Sequence, residues 1–155
     1  ELEALHGIAE MALNDVRQLS RLMSPTILDD LGLKPALNWL CRNLLSGEDI
    51  EYHTEITVPP DLPKDISTLL FRIAQETLVN AIKHSEATNL TLSISYHHHV
   101  IRLDILDNGV GFDSKAIEPG IGLSSIRDRA EAFNATLEID SAVGQGTRTT
   151  VTVPV

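Results

Sequence analysis

A carboxylate and an amide stand four residues apart, followed by a base and a histidine, in the run Glu76-Thr77-Leu78-Val79-Asn80-Ala81-Ile82-Lys83-His84. On a helix, spacings of three and four bring Glu76, Asn80 and Lys83 or His84 to one face. The amide oxygen of Asn80 is a hard ligand suited to Mg²⁺, which keeps several waters and bridges phosphates. Glu76 can ligate through a water or take a proton, and Lys83 can offset phosphate charge. Downstream, Asp107 ends the apolar run Ile101, Leu103, Ile105 and Leu106 and leads into Asn108-Gly109-Val110-Gly111. A carboxylate at the lip of a buried strand has reason to accept a directed hydrogen bond, for instance from an exocyclic amine. The glycines let the backbone turn sharply and approach a flat ligand. Gly120-Ile121-Gly122-Leu123 then feeds a helix whose unpaired N–H groups and dipole favour phosphate. Gly144-Gln145-Gly146-Thr147 closes the series. Each motif alone is weak, since a polar helix face, an ordinary turn or a helix cap would explain it. In this order they suit a site with a purine at one end and metal-bound phosphates at the other.

The elements that must carry these residues follow from apolar spacing. Ile66, Leu69, Leu70, Ile73, Ala74, Thr77, Leu78 and Ala81 predict a helix over residues 64–84 with one core face. Strands are expected at Asn89–His97 and Val100–Asp107, joined by a histidine-rich turn, then a helix over residues 123–133. Two further strands, residues 136–140 and 147–153, meet across Gly144-Gln145-Gly146. Upstream, a helix over Leu33–Leu45 takes Pro35 in its first turn and Gly47 near its end. Residues 51–58 alternate and read as a strand, and Pro59, Pro60 and Pro63 punctuate a loop. Residues 26–33, with Asp29, Asp30 and Gly32, read as a turn. The order predicts an α+β two-layer sandwich, a mixed and mostly antiparallel sheet of about five strands with three helices.

One long amphipathic helix precedes it. Leu2, Leu5, Ala9, Ala12, Val16, Leu19 and Met23 alternate steps of three and four, as in a helix packed against helices. Ile8 and Leu13 widen the stripe toward a bundle, and Pro25 ends it. The rival reading, a helix folded onto the domain's own core, fits such regular heptads less well.

A net charge of −10 argues against nucleic acid as a partner, because a phosphate backbone needs basic patches. An acidic domain can still bind a nucleotide where a divalent cation and N–H groups supply the positive field. Hydrophobic residues make up 43% but aromatics only 4%, so the core should be aliphatic. Cys41 is the single cysteine, which excludes an internal disulfide and points to a reducing, cytoplasmic setting. No apolar run approaches the roughly 18 residues of a membrane span, and the charged start is not a signal peptide. The chain opens on Glu1, so it reads as a piece of a longer protein that can itself be membrane-anchored. His97-His98-His99 alternates between faces and makes a poor chelate, so an exposed hairpin tip is expected. Arg127 and Arg129 can reach phosphate, or Arg127 can pair with Glu131.

These motifs resemble those of the ATP-binding domain of two-component sensor histidine kinases, the Bergerat-type (GHKL) fold shared with gyrase, the Hsp90 chaperone and MutL. Glu76 to His84 resembles the N box, Asp107 to Gly111 the first G box, Gly120 to Leu123 the second and Gly144 to Thr147 the last. The stretch from Ser24 to Leu37 resembles the junction of the nitrate-sensor (NarX-like) subfamily between dimerisation hairpin and catalytic domain. The resemblance covers essentially the whole chain. It implies residues 1–25 as part of the dimerisation and phosphotransfer hairpin and residues 26–155 as the ATP-binding catalytic domain. It implies Asn80 as the Mg²⁺ ligand and Glu76 as an acid/base or metal-water residue. Asp107 would recognise adenine, with Gly109 and Gly111 beside it and Thr147 at the same end. Lys83 and His84 would lie near the phosphates, and Gly120, Gly122 and Leu123 at the ATP lid. That lid, residues 112–121, is short and lacks the family's phenylalanine-rich box.

The family's phosphoacceptor histidine lies on the first hairpin helix and is followed by an acid. Here Gly7 follows His6, and one helix fits before Pro25, resembling the second arm. The acceptor is therefore expected on a hairpin of the same protein outside this chain, with a response regulator as next partner and a homodimer as the intact assembly. A serine kinase of the anti-sigma type shares the fold, but the heptad helix and the 28–37 junction count against it. A nucleotide-sensing dimerisation module without phosphotransfer is the third reading, and intact Glu76 and Asn80 count against that.

Overall fold

The computed structural model describes Leu2, residues 4–9, residues 11–12, residues 26–115 and residues 121–155. In chain order come α1 (Thr26–Leu31), α2 (Leu33–Leu45), β1 (Glu51–Ile56) and α3 (Lys64–Asn80). A π-helical turn, Ala81–Ser85, continues α3, and β2 (Asn89–His97) and β3 (Val100–Asp107) follow. Then come α4 (Ile121–Ala132), β4 (Thr136–Ser141) and β5 (Thr147–Pro154). The strands form one five-stranded sheet in the order β1-β2-β3-β5-β4. β1 runs parallel to β2, and the other neighbouring pairs are antiparallel. α3 packs on β3 and β5, α2 on β1 and α4 on β4, which makes the second layer. The expected mixed α+β sandwich is the fold that forms.

Alternation along the strands decides which side chains meet the helices. In β3, Ile101, Leu103 and Ile105 are buried while Arg102 is exposed. Leu106, expected to belong to the apolar run, points the other way and is 41% exposed. From α3, Phe71, Leu70, Ile73 and Leu78 are fully buried against this face, with Leu92 and Val151 from the neighbouring strands. Each such side chain contributes roughly 1.5–3 kcal/mol. Thr77, expected on the core face, is only half-buried.

Several boundaries differ from the sequence reading. Residues 26–33 are not a plain turn: α1 forms there and buries Leu28, and Gly32 at φ 90° then separates it from α2. The long helix stops at Asn80 rather than 84, because the next turn is π-helical. β1 ends at Ile56, the last residue paired with β2. Gly47, at φ 85° just past the α2 end, takes the left-handed conformation that suits glycine. The described part of the first segment, residues 4–9 and 11–12 with Leu2, is helical. Leu2, Leu5, Ile8 and Met11 are all at least 63% exposed, so none of them joins the domain core.

Candidate functional site

Glu76 and Asn80 lie one turn apart at the end of α3, both half-buried, so the expected helix face exists. Lys83 and His84 are exposed on the π-helical turn. The wider turn shifts them off the line that continues Glu76 and Asn80. Ser85 closes this turn: its Oγ donates to the Ala81 carbonyl at 2.5 Å and accepts from the Ala87 amide at 3.1 Å. Glu86, left-handed at φ 52°, then ends the helix.

The strand lip is built from one cross-strand row on the helix-facing side. Leu90 pairs with Asp107, Asp107 with Thr147, and Thr147 with Ser141. Asp107 is buried at 6% exposure, where Ile101, Leu103 and Ile105 precede it on the same face. One of its carboxylate oxygens, Oδ1, accepts from the Gly109 amide at 2.9 Å. The other takes no hydrogen bond from the described residues. No buried side-chain oxygen among them lacks a partner, so this oxygen keeps access to solvent.

Gly109 does not serve as a sharp left-handed turn. A Cβ there would fall 2.6 Å from Ser85 Cβ, and the Val110 amide donates to the Ser85 carbonyl at 2.7 Å. The glycine lets the Asp107 loop lie directly on the π-helical turn. Gly111, at φ 62°, is hemmed in by the carbonyls of Ala142 and Gly146, and Gly144 donates to Val110 at 2.6 Å. The three loops that carry the motifs thus touch one another. Asn108 fixes their base: its Oδ1 accepts from the amides of Thr88 and Asn89 at 2.9 Å each.

Ser85, Asn108 and Ser141 are the residues that sequence reasoning missed in these roles. Ser141 Oγ meets the Phe112 amide at 2.9 Å, the Gly146 carbonyl at 3.0 Å and Thr147 Oγ1 at 2.9 Å. Nothing in its local sequence signals this, since it depends on the β4–β5 register. Ser85 adjoins the Lys83-His84 pair and could have been flagged by that position alone.

The remaining candidates are placed less fully. Gly120 lies outside the described residues. Gly122 and Leu123 lie in the first turn of α4, which starts at Ile121 rather than after them. Among the described residues no ion pair joins Arg127 to Glu131, so the expected helix pairing is not formed. His98 and His99 form the exposed hairpin tip, with φ 48° and 62°. An open recess of about 440 Å³ at the same strand ends is lined by Leu106, Asp140, Ser141, Gln145, Gly146 and Arg148. No described helix is long and apolar enough to cross a membrane.

Chemically, the lip offers acceptors that no ion pair among the described residues engages, and the α3 end offers an amide oxygen and a carboxylate. The first suits an amine-bearing flat ring, and the second suits a hydrated divalent cation between phosphates. The donor set therefore fits a magnesium–nucleotide complex.

Residues 65–155 match the family described as histidine kinase-, DNA gyrase B-, and HSP90-like ATPase. The chain is 33% identical over 97% of its length to the oxygen sensor histidine kinase NreB of Staphylococcus carnosus, spanning 44% of that protein. It is 32% identical over 99% of its length to the sensor histidine kinase LiaS of Bacillus subtilis, spanning 43% of that one. The chain thus spans less than half the length of either relative. Its fold is similar to that of the Acinetobacter baumannii histidine kinase AdeS, with a TM-score of 0.66, 17% identity, and 99% and 83% of the two chains covered.

Proposed function

We propose, because the chain belongs to the histidine kinase-, DNA gyrase B-, and HSP90-like ATPase family and is a sensor histidine kinase's catalytic ATP-binding domain, that ATP lies between the α3 end and the β3–β5 lip. Adenine sits at Asp107 and Thr147, and the phosphates lie toward Asn80. The observation that carries this orientation is the solvent-reaching oxygen of an otherwise buried Asp107, at the end of an aliphatic row.

When bound, magnesium–ATP supplies the transferable γ-phosphoryl group and the divalent charge that offsets it. In this reading Asn80 would hold the cation by its amide oxygen, and Glu76 would hold a water beside it or take a proton. Lys83 and His84 sit near the phosphates on the π-helical turn. Gly122 and Leu123 border the phosphates from the start of α4, and Gly120 belongs to the same motif. Gly109 and Gly111 keep the Asp107 loop thin enough to lie on Ser85 and on the Ala142–Gly146 turn. Positioning and electrostatics then dominate over covalent chemistry by the protein.

The phosphoryl acceptor in this account is a histidine on a hairpin elsewhere in the same protein, and a response regulator takes the group next. The intact protein is a homodimer of cytoplasmic catalytic domains. The exposed apolar residues Leu2, Leu5, Ile8 and Met11 support the first segment as one arm of that hairpin. The 24–37 junction supports the NarX-like subfamily.

The test offers γ-labelled ATP and Mg²⁺ to the chain with two separate acceptors, a histidine-bearing hairpin of such a kinase and a partner-switch serine protein. The expected result is acid-labile label on the hairpin alone. Label on the serine protein, or on neither, contradicts the proposal.

A further inference from the structure

The hydrogen-bond pattern at the lip assigns a role to Ser141, which stands outside every motif. Its hydroxyl has one proton and two acceptor positions. The Gly146 carbonyl can only accept, so the Ser141 proton goes there, at 3.0 Å. The Phe112 amide can only donate, so it fills one acceptor position, at 2.9 Å. What remains for Thr147, 2.9 Å away, is the second acceptor position. The Thr147 hydroxyl must then donate to Ser141. Among the described residues nothing donates to Thr147 Oγ1 in turn.

Thr147 pairs with Asp107 across β3 and β5, and both lie on the helix-facing side of the sheet. With its proton committed to Ser141, Thr147 offers its open side only lone pairs. Asp107 likewise offers one carboxylate oxygen that no described residue engages. The wall is therefore acceptor-only at two adjacent points. An exocyclic amine carries two protons and can satisfy both points, whereas a 6-oxo purine has a single donor there, its N1–H, and sets its oxo oxygen, a third acceptor, against the other point. A buried polar mismatch of this kind is penalised far more than a missing methyl group.

We propose that Ser141 is a specificity-determining positioning residue: by fixing the Thr147 proton away from the ligand, it makes the site read a 6-amino purine and reject a 6-oxo purine. This rests on the ATP reading above. Without Ser141 the Thr147 hydroxyl is free to rotate and donate to an oxo group, and the discrimination falls. The same serine holds the backbone at Phe112, so the loop after Gly111 is tied to the ring-binding end rather than to the phosphates.

The test compares Mg-ATP with Mg-ITP, whose base carries an oxo group at C6 and a proton at N1, by calorimetric titration into the 155-residue chain and its variants. Wild type should prefer ATP, and Ser141→Ala should lower the ATP/ITP affinity ratio by about tenfold, the worth of one hydrogen bond. Ser141→Thr, which restores the hydroxyl, should return the ratio toward wild type. Amide exchange at Phe112 should quicken in Ser141→Ala and not in Ser141→Thr. A Ser141→Ala protein that binds both nucleotides more weakly at an unchanged ratio overturns the proposal and leaves the ATP reading intact. A wild-type chain that binds neither nucleotide overturns both. Should Ser141→Ala not fold, Ser141→Cys keeps the volume with a weaker donor and acceptor, and the same ratio decides.

Discussion

Asp107 occupies a position that alternation alone would give to an aliphatic side chain, and its single internal bond leaves half the carboxylate for a ligand. Asp107→Asn keeps the shape but removes the charge and turns one acceptor into a donor. ATP affinity should fall by roughly 10- to 100-fold, the loss expected for a hydrogen bond to a charged group, while the melting temperature stays near wild type. Titration calorimetry beside a thermal melt separates the two effects. An unchanged affinity would remove Asp107 from the site. On the opposite sheet face, Arg102 bonds Asp104 at 2.6 Å and, with Thr150, holds its carboxyl below the usual carboxylate range against the opposing effect of burial. A depressed folded-state pKa stabilises above the unfolded value of about 3.9 and is lost as pH falls through the folded one. Asp104→Asn should therefore cost stability at neutral pH, under about 1 kcal/mol for so solvent-screened a pair. The difference from wild type should shrink in urea melts as pH falls below the ordinary carboxylate range. A gap that persists in acid would mean that packing, not charge, is involved.

At the scale of elements, the β2–β3 hairpin tip uses His98 and His99 where both residues need positive φ. Asn-Gly suits such a turn better, so the double change His98→Asn with His99→Gly should stabilise by about 0.5–1 kcal/mol. A fall in the thermal midpoint would count against the turn. The loop contact between Gly109 and Ser85 leaves no room for a methyl group, so Gly109→Ala should destabilise by about 1–3 kcal/mol, read by urea unfolding. These elements also show what sequence patterning can reveal. Strands Asn89–His97 and Val100–Asp107 were legible residue for residue because period-2 burial and a tight turn bound them. Asn80 and Asp107 stood out in the sequence because polar groups interrupt apolar faces there. The π-helical turn was not, since it depends on Ser85 Oγ reaching back to Ala81 and on Gly109 packing from another loop. Ser141 was invisible for the same reason, its partners lying on β5 and beyond Gly111. The α1 helix was missed because Asp29, Asp30 and Gly32 carry turn signals that burial of Leu28 overrides.

For the whole molecule, two layers close over an aliphatic core that includes Cys41, buried in α2, where burial pushes the thiol up to about 12. Such a thiol reacts only when the layers separate. A thiol reagent at pH 8 should therefore label Cys41 at the rate of global opening, slowed by nucleotide if binding stabilises the fold. Fast labelling of the native chain would contradict the packing. The exposed stripe Leu2, Leu5, Ile8 and Met11 takes no part in the domain core, and the candidate site is built without it. That separation allows the central claim to be tested on the chain alone. Titrating Mg-ATP into wild type and Asn80→Asp by calorimetry should give saturable one-site binding to the first and a marked, magnesium-linked loss in the second. No binding by wild type, or equal binding by the variant with and without magnesium, would contradict the account.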